Sequence, residues 1–216
     1  MTNKNDFMAF ERYKEELKLI LRQNPYEQEL HSVFAYIIRT CMVQDDISLR
    51  DVSADRIAKR IFTRNLMSEQ RFPDFVILDK TYSSHKEADR KNPYQSGIYG
   101  AVEIKWIGKS LDIQSYTKHL NGYLAYFKRV IYTNGLEWRF YGWNKDGTIA
   151  EAQDNNKKIP MPSMSFTLGA MKYQRGVDSK VIWYDDSDWQ ETKAGQQNVE
   201  DRWEKLLEYL RLIQWK

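Results

Sequence analysis

Arg71-Phe72-Pro73-Asp74-Phe75-Val76-Ile77-Leu78, followed by Tyr99-Gly100-Ala101-Val102-Glu103-Ile104-Lys105-Trp106, is the stretch on which the reading of this chain turns. Both runs are rich in branched and aromatic residues, and a polar segment at about 81–96 separates them, which is the pattern of two β-strands joined by a loop. Side chains alternate faces along a strand, so Glu103 and Lys105 project from one side while Val102, Ile104 and Trp106 face the other. If the two strands pair, Asp74 and Glu103 converge at one end of a sheet with an ammonium beside them. Two carboxylates at such a point are hard oxygen donors suited to Mg²⁺ or Mn²⁺. A neighbouring lysine orients or activates an attacking water and offsets phosphate charge. These are the parts that metal-dependent phosphodiester hydrolysis requires.

Working outward, residues 111–127 read as a helix and 129–133 as a strand. Asn134-Gly135 then signals a two-residue hairpin turn, because both residue types tolerate positive φ, and 136–141 returns as a strand. Upstream, 7–22 has the period of an amphipathic helix with Phe10, Tyr13, Leu17 and Ile20 inward; 25–42 is a second helix, and Ser53 caps a third running to about 64. Downstream, 144–165 reads as irregular and 180–184 as a late edge strand. A closing helix at 198–214 carries a stripe of Trp203, Leu206, Leu207, Leu210 and Ile213, assigned to the core with a dimer surface as the alternative. Asp185, Asp186 and Asp188 read as a solvated turn rather than a second metal site. No repeat or long linker divides the 216 residues, so a single α/β domain is expected, with a motif core at about 25–143 and a C-terminal elaboration at about 144–216.

Pro73-Asp74 with Glu103-x-Lys105 resembles the signature of the PD-(D/E)XK nuclease superfamily. The string Thr133-Asn134-Gly135-Leu136-Glu137-Trp138-Arg139-Phe140-Tyr141 is similar to the one after the catalytic core in the nuclease domains of type I restriction enzyme motor subunits. Together the matches cover roughly 27–141. The resemblance implies a restriction-endonuclease-like fold, a central mixed sheet flanked by helices with extra N- and C-terminal helices. It further implies that Asp74, Glu103 and the carbonyl of Ile104 hold one or two Mg²⁺ or Mn²⁺ ions while Lys105 positions the attacking water. Such domains often carry Gln-x-x-x-Tyr on the next helix; here the stretch is His119-Leu120-Asn121-Gly122-Tyr123, with His119 in place of Gln and Tyr123 kept on the same face. They usually add a glutamate from an earlier helix, for which Glu27 and Glu29 are the candidates. Leu30, Val33, Phe34, Ile37 and Ile38 mark the buried stripe, Glu27 lies in line with it and Glu29 on its flank, so Glu27 is preferred. A local reading of Glu27 stands beside the metal role: Asn24 caps the helix, Pro25 opens it and Glu27 completes a capping-box-like arrangement.

Composition excludes several classes. No apolar run approaches the roughly 18 residues needed to span a membrane, and the polar start Met1-Thr2-Asn3-Lys4-Asn5-Asp6 lacks a secretory pattern. Cys41 is the one cysteine, so no internal disulfide forms, and a buried thiol in a reducing cytoplasm is expected. Gly108-Lys109-Ser110 would need the first glycine of a P-loop at position 103, which is Glu103, so no nucleotide cofactor is expected. One cysteine and three histidines exclude the usual Cys/His zinc cluster.

The net charge of +3, from 33 basic and 30 acidic residues, does not itself select a nucleic-acid partner. Local clusters are the better candidates for backbone phosphate contact: Lys80, His85, Lys86, Arg90 and Lys91 in the loop between the motif strands, and Arg56, Lys59, Arg60 and Arg64 before it. Tyr99, Trp106 and Tyr123 are candidate base-stacking rings, with core packing as the alternative. The expectation is a cytoplasmic, divalent-metal-dependent DNA nuclease, alone, with a protein partner or as a homodimer. The alternative is a non-catalytic nucleic-acid-binding or protein-interaction module on the same fold.

Overall fold

In the computed structural model, which describes residues 8–53, 72–83, 93–112, 114–149, 160–172, 180–184 and 198–216, the two motif runs pair. Strands β1 (Ile47–Asp51), β2 (Phe75–Asp79), β3 (Ile98–Ile104), β4 (Val130–Thr133), β5 (Glu137–Tyr141) and β6 (Met164–Thr167) form one sheet in that spatial order. Its pairings are antiparallel except β3 with β4, which run parallel, so the sheet is mixed. Parallel neighbours need a crossover, and helix α3 (Gln114–Phe127) supplies it. A separate antiparallel pair, β7 (Gly169–Lys172) with β8 (Lys180–Trp183), lies outside the main sheet.

Both faces of the sheet are covered, which explains why β3 is buried along its whole length instead of alternating with solvent. On one face α3 sets Leu120, Tyr123, Leu124 and Phe127 against Val76, Leu78, Ala101, Val130 and Tyr132. On the other, α1 (Phe10–Gln23), α2 (Glu29–Cys41) and α4 (Val199–Leu212) cover Phe75, Ile77, Val102, Ile104, Ile131, Trp138 and Phe140. The Trp203 stripe of α4 is therefore core and not a dimer surface. Trp203 stacks on Tyr13 at 4.4 Å, and its Nε1 donates to the Met8 carbonyl at 2.7 Å. Cys41 is buried, and burial pushes its thiol up to about 11, so it is an inert packing residue.

The register carries one irregularity of consequence. Ile77 pairs with Gly100 while Leu78 pairs with Ile98, so Tyr99 is the extra residue of a β-bulge. Beyond it, Ala101 faces α3 and Val102 faces α2, the parity that places Glu103 on the α3 side.

Several elements differ from expectation. The second helix begins at Glu29, not at residue 25: Asn24, Pro25 and Tyr26 lie before it, and the Asn24 side chain donates to Glu29 Oε1 at 2.6 Å instead of capping. The hairpin turn is displaced by one residue. Thr133 pairs with Trp138, which leaves Gly135 (φ +84°) and Leu136 as its central residues, as in a type II′ turn. Asn134 does not take positive φ; its Oδ1 accepts from the Leu136 and Glu137 amides at 2.9 and 2.7 Å. Strands β1, β6 and β7 are additions to the expected set. The third helix expected after Ser53, the acidic turn at 185–188, His85, Lys86, Arg90, Lys91, Arg56, Lys59, Arg60 and Arg64 lie outside the described residues.

Candidate active site at the end of the sheet

Antiparallel pairing of Phe75 with Val102 sets the next residues outward, Asp74 and Glu103, across from each other where β2 begins. Pro73 lacks an N–H and cannot continue a ladder, so the strand starts only after it. The Asp74 side chain takes over as ladder partner: its Oδ2 accepts from the Ile104 amide at 2.6 Å, a group with no β2 backbone opposite it. Glu103 also stands beside Tyr132 of β4 in the parallel register, and Lys105 follows β3 with its amide donating to Thr133 at 2.7 Å.

Lys105 Nζ turns back and donates to Glu103 Oε1. The ammonium lies 5.0 Å from the ring centre of Tyr116 and 5.9 Å from that of Tyr132, a cation held against aromatic faces. Burial pulls its pKa down, but the charge and hydrogen bond of Glu103, with Glu27 and Asp74 behind them, more than offset this, and it stays protonated. Among the described residues, Glu103 Oε2 is buried without a hydrogen-bond partner. The nearby Tyr123 hydroxyl has one proton and donates it to the Phe72 carbonyl at 3.1 Å.

Glu27 reaches the same place: its Oε2 accepts from the Trp106 amide at 3.0 Å, next to Lys105. Glu29 is exposed and committed to Asn24. The fold thus brings Glu27 and not Glu29 beside Lys105, and through a tertiary contact instead of a capping box. Tyr123 is fully buried beside Glu103, and His119 lies half-buried one turn earlier on α3. Lys80 is exposed past the far end of β2, about 20 Å along the strand from Asp74. Tyr99 and Tyr123 are core rings and Trp106 is half-buried.

One further neighbour has almost no signal in the sequence. His31 of α2 places Nε2 3.5 Å from Asp74 Oδ1 and Nδ1 3.6 Å from Asp51 Oδ2. Its only local cue is a position four residues after Glu27, on the same side of the chain's entry into α2.

Asp74 and Glu103 are both pushed above the ordinary carboxylate range. For Asp74 the first cause is burial, opposed by the Ile104 N–H and Lys105 and reinforced by the charges of Glu27 and Asp51. For Glu103 it is burial, then the charge of Asp74, with Lys105 pulling back. Lys105 alone does not neutralise this group. A raised folded pKa means the native state holds more protons than the unfolded chain, so stability falls as pH rises through that interval. His31 is shifted down, chiefly by burial, which gives an opposing slope that ends near its ordinary pKa of about 6.5. From about pH 6.5 up to about 8, to which the Glu103 carboxyl is pushed, the melting temperature in EDTA is therefore expected to fall, and in Glu103→Gln to fall less. An equal slope in the two proteins would contradict the assignment.

The donor set fits a hard divalent ion: two carboxylates that repel one another, one carboxylate oxygen without a hydrogen-bond partner among the described residues, and the adjoining Ile104 carbonyl. Among the described residues no three His, Cys, Asp or Glu side chains form a ready-made metal cage. Compared with known protein families, with curated proteins and with solved structures, the chain matches none.

Proposed function

We propose that this chain is a divalent-metal-dependent nuclease that hydrolyses DNA phosphodiester bonds, on a restriction-endonuclease-like fold of PD-(D/E)XK type. The observation that supports it best is the convergence of Asp74, Glu103 and Lys105 at one sheet end, with both carboxylates driven up by burial and mutual repulsion. Buried like charges are costly to hold, and a site that keeps them has a use for them. On this reading Asp74, Glu103 and the Ile104 carbonyl, with Glu27 alongside, hold Mg²⁺ or Mn²⁺. The ion supplies Lewis-acid stabilisation of phosphate charge. Lys105 then holds the attacking water by a hydrogen bond from Nζ and faces developing negative charge on the phosphoryl oxygens. Glu103 keeps the ammonium in place and protonated. Tyr116 and Tyr132 hold the ammonium against their ring faces.

The test is cleavage of supercoiled plasmid and of single-stranded DNA in Mg²⁺ or Mn²⁺, wild type beside Asp74→Ala. Nicking by wild type alone is expected. Millimolar metal should also raise the melting temperature of wild type, and much less that of Asp74→Ala. A wild type that neither nicks nor responds to metal would overturn the reading.

A second reading, a non-catalytic nucleic-acid-binding or protein-interaction module, draws support from the closed Lys105–Glu103 pair and from His119 in place of Gln. It predicts DNA binding that needs no metal and survives neutralisation of Asp74 and Glu103.

A further inference from the structure

We propose that His31, backed by Asp51 and Ser53, is a positioning residue that fixes the orientation of the Asp74 carboxylate. The use made of Asp74 rests on the nuclease reading above; its being held by the imidazole does not.

The two oxygens of Asp74 face different neighbours. Oδ2 takes the Ile104 amide at 2.6 Å, and Oδ1 faces His31 Nε2 at 3.5 Å. The backbone contact holds one oxygen, and the imidazole stands against the other. His31 can serve because it is itself held: it is only 9% exposed, its ring packs 5.3 Å from that of Phe75, and Nδ1 lies 3.2 Å from Ser53 Oγ. Ser53 is anchored in turn, its Oγ and amide both donating to Asp51 Oδ1 at 2.6 and 2.8 Å. Asp51 pairs with Phe75 in the β1–β2 ladder, directly beside Asp74. Residues 31, 51, 53 and 74 come from α2, the end of β1 and the start of β2, so one chain of contacts ties three elements to a single carboxylate. Partners of this kind behind a metal-binding side chain set its geometry.

Two variants separate positioning from packing. His31→Phe keeps a ring against Phe75 and removes both nitrogens; His31→Gln keeps a polar side chain near Asp74. Two readouts are taken on each: hydrogen exchange of the Ile104 amide in EDTA, and Mn²⁺ affinity by calorimetry. With the fold intact by circular dichroism, His31→Phe is expected to speed Ile104 exchange about tenfold, the scale of one hydrogen bond. Mn²⁺ binding should weaken about 10- to 100-fold, and His31→Gln should recover most of both. Unchanged Ile104 exchange in His31→Phe, or equal losses in Phe and Gln variants, would overturn the proposal. If wild type binds no Mn²⁺ but Ile104 responds as expected, the nuclease reading fails and the positioning role stands. Should His31→Phe not fold, Ser53→Ala repeats the exchange measurement at a half-exposed position. A smaller acceleration at Ile104 is then expected, and none would count against the role.

Discussion

Lys105→Ala is expected to leave supercoiled plasmid intact where wild type nicks it, and to melt at a lower temperature. On the proposed mechanism the loss of cleavage is about 10²- to 10⁴-fold, the range for removing a group that positions a reacting water or faces transition-state charge. The stability effect has a separate origin. Lys105 and Glu103 are 8% and 5% exposed, so the pair is buried, and removing one partner leaves the other charge uncompensated at a cost of about 3–5 kcal/mol. Glu103 escapes part of that cost by taking up a proton, because burial and Asp74 already raise its pKa and losing Lys105 raises it further. The destabilisation should thus be smaller in mild acid and grow with pH. Lys105→Met separates the effects: it fills the buried space of the side chain without its charge, so it should melt closer to wild type yet cleave no better than Lys105→Ala. Cleavage by a folded Lys105→Met protein would remove the lysine from the mechanism.

Gly142→Ala adds a single methyl group, yet it should cost about 3–5 kcal/mol and leave the protein insoluble or largely unfolded. Gly142 follows β5 with φ +87°, and a Cβ there would stand 2.1 Å from the Lys128 carbonyl oxygen and 3.1 Å from its carbon. The conflicting atoms are backbone, so no rotamer change relieves it. Lys128 has no slack either: it ends α3 in the left-handed region itself, at φ +66°. Yielding would move the α3–β4 junction, and β4 carries Tyr132 and Thr133, which pair with Glu103 and Ile104. A soluble Gly142→Ala protein with a wild-type melting temperature would show that this junction moves freely.

The strands that build the site are legible because each is a run of branched and aromatic residues long enough to show its period. The parity of Glu103 and Lys105 against Val102 and Ile104 follows from two-residue alternation alone. β1 is hidden because Ile47-Ser48-Leu49-Arg50-Asp51 offers two apolar residues in five, and its strand state comes from the β2 edge it covers. The start of α2 is misleading for a related reason. Asn24-Pro25-x-Glu27 is a good local helix opening, but Trp106, 79 residues away, claims the Glu27 carboxylate. The turn after β4 shifts because the Asn134 side chain supplies the bonds that a left-handed Asn backbone would otherwise arrange. His31 is obscured by its apolar neighbours, since a histidine beside a buried stripe looks like packing until its partners at 51, 53 and 74 are in view. Fold and carboxylate pair are thus written locally; what orients the pair is written in contacts between distant segments.

The tail past α4 sets a timetable for the molecule. The Trp215 ring lies 2.7 Å from where a Cβ on Gly100 would stand, meets Trp143 edge-on at 5.0 Å, and its carbonyl accepts from Arg129 Nη1 at 3.0 Å. Glycine at position 100 leaves room for that indole directly beneath the strand that bears Glu103. On the ribosome, β3 emerges more than a hundred residues before this cover exists, and contacts of such sequence separation form late and slowly. A nascent chain short of Trp203 and Trp215 leaves the Gly100 and Val102 face of β3, opposite the one that bears Glu103, without its last cover. Closure of that half of the core thus waits on Trp203 and Trp215.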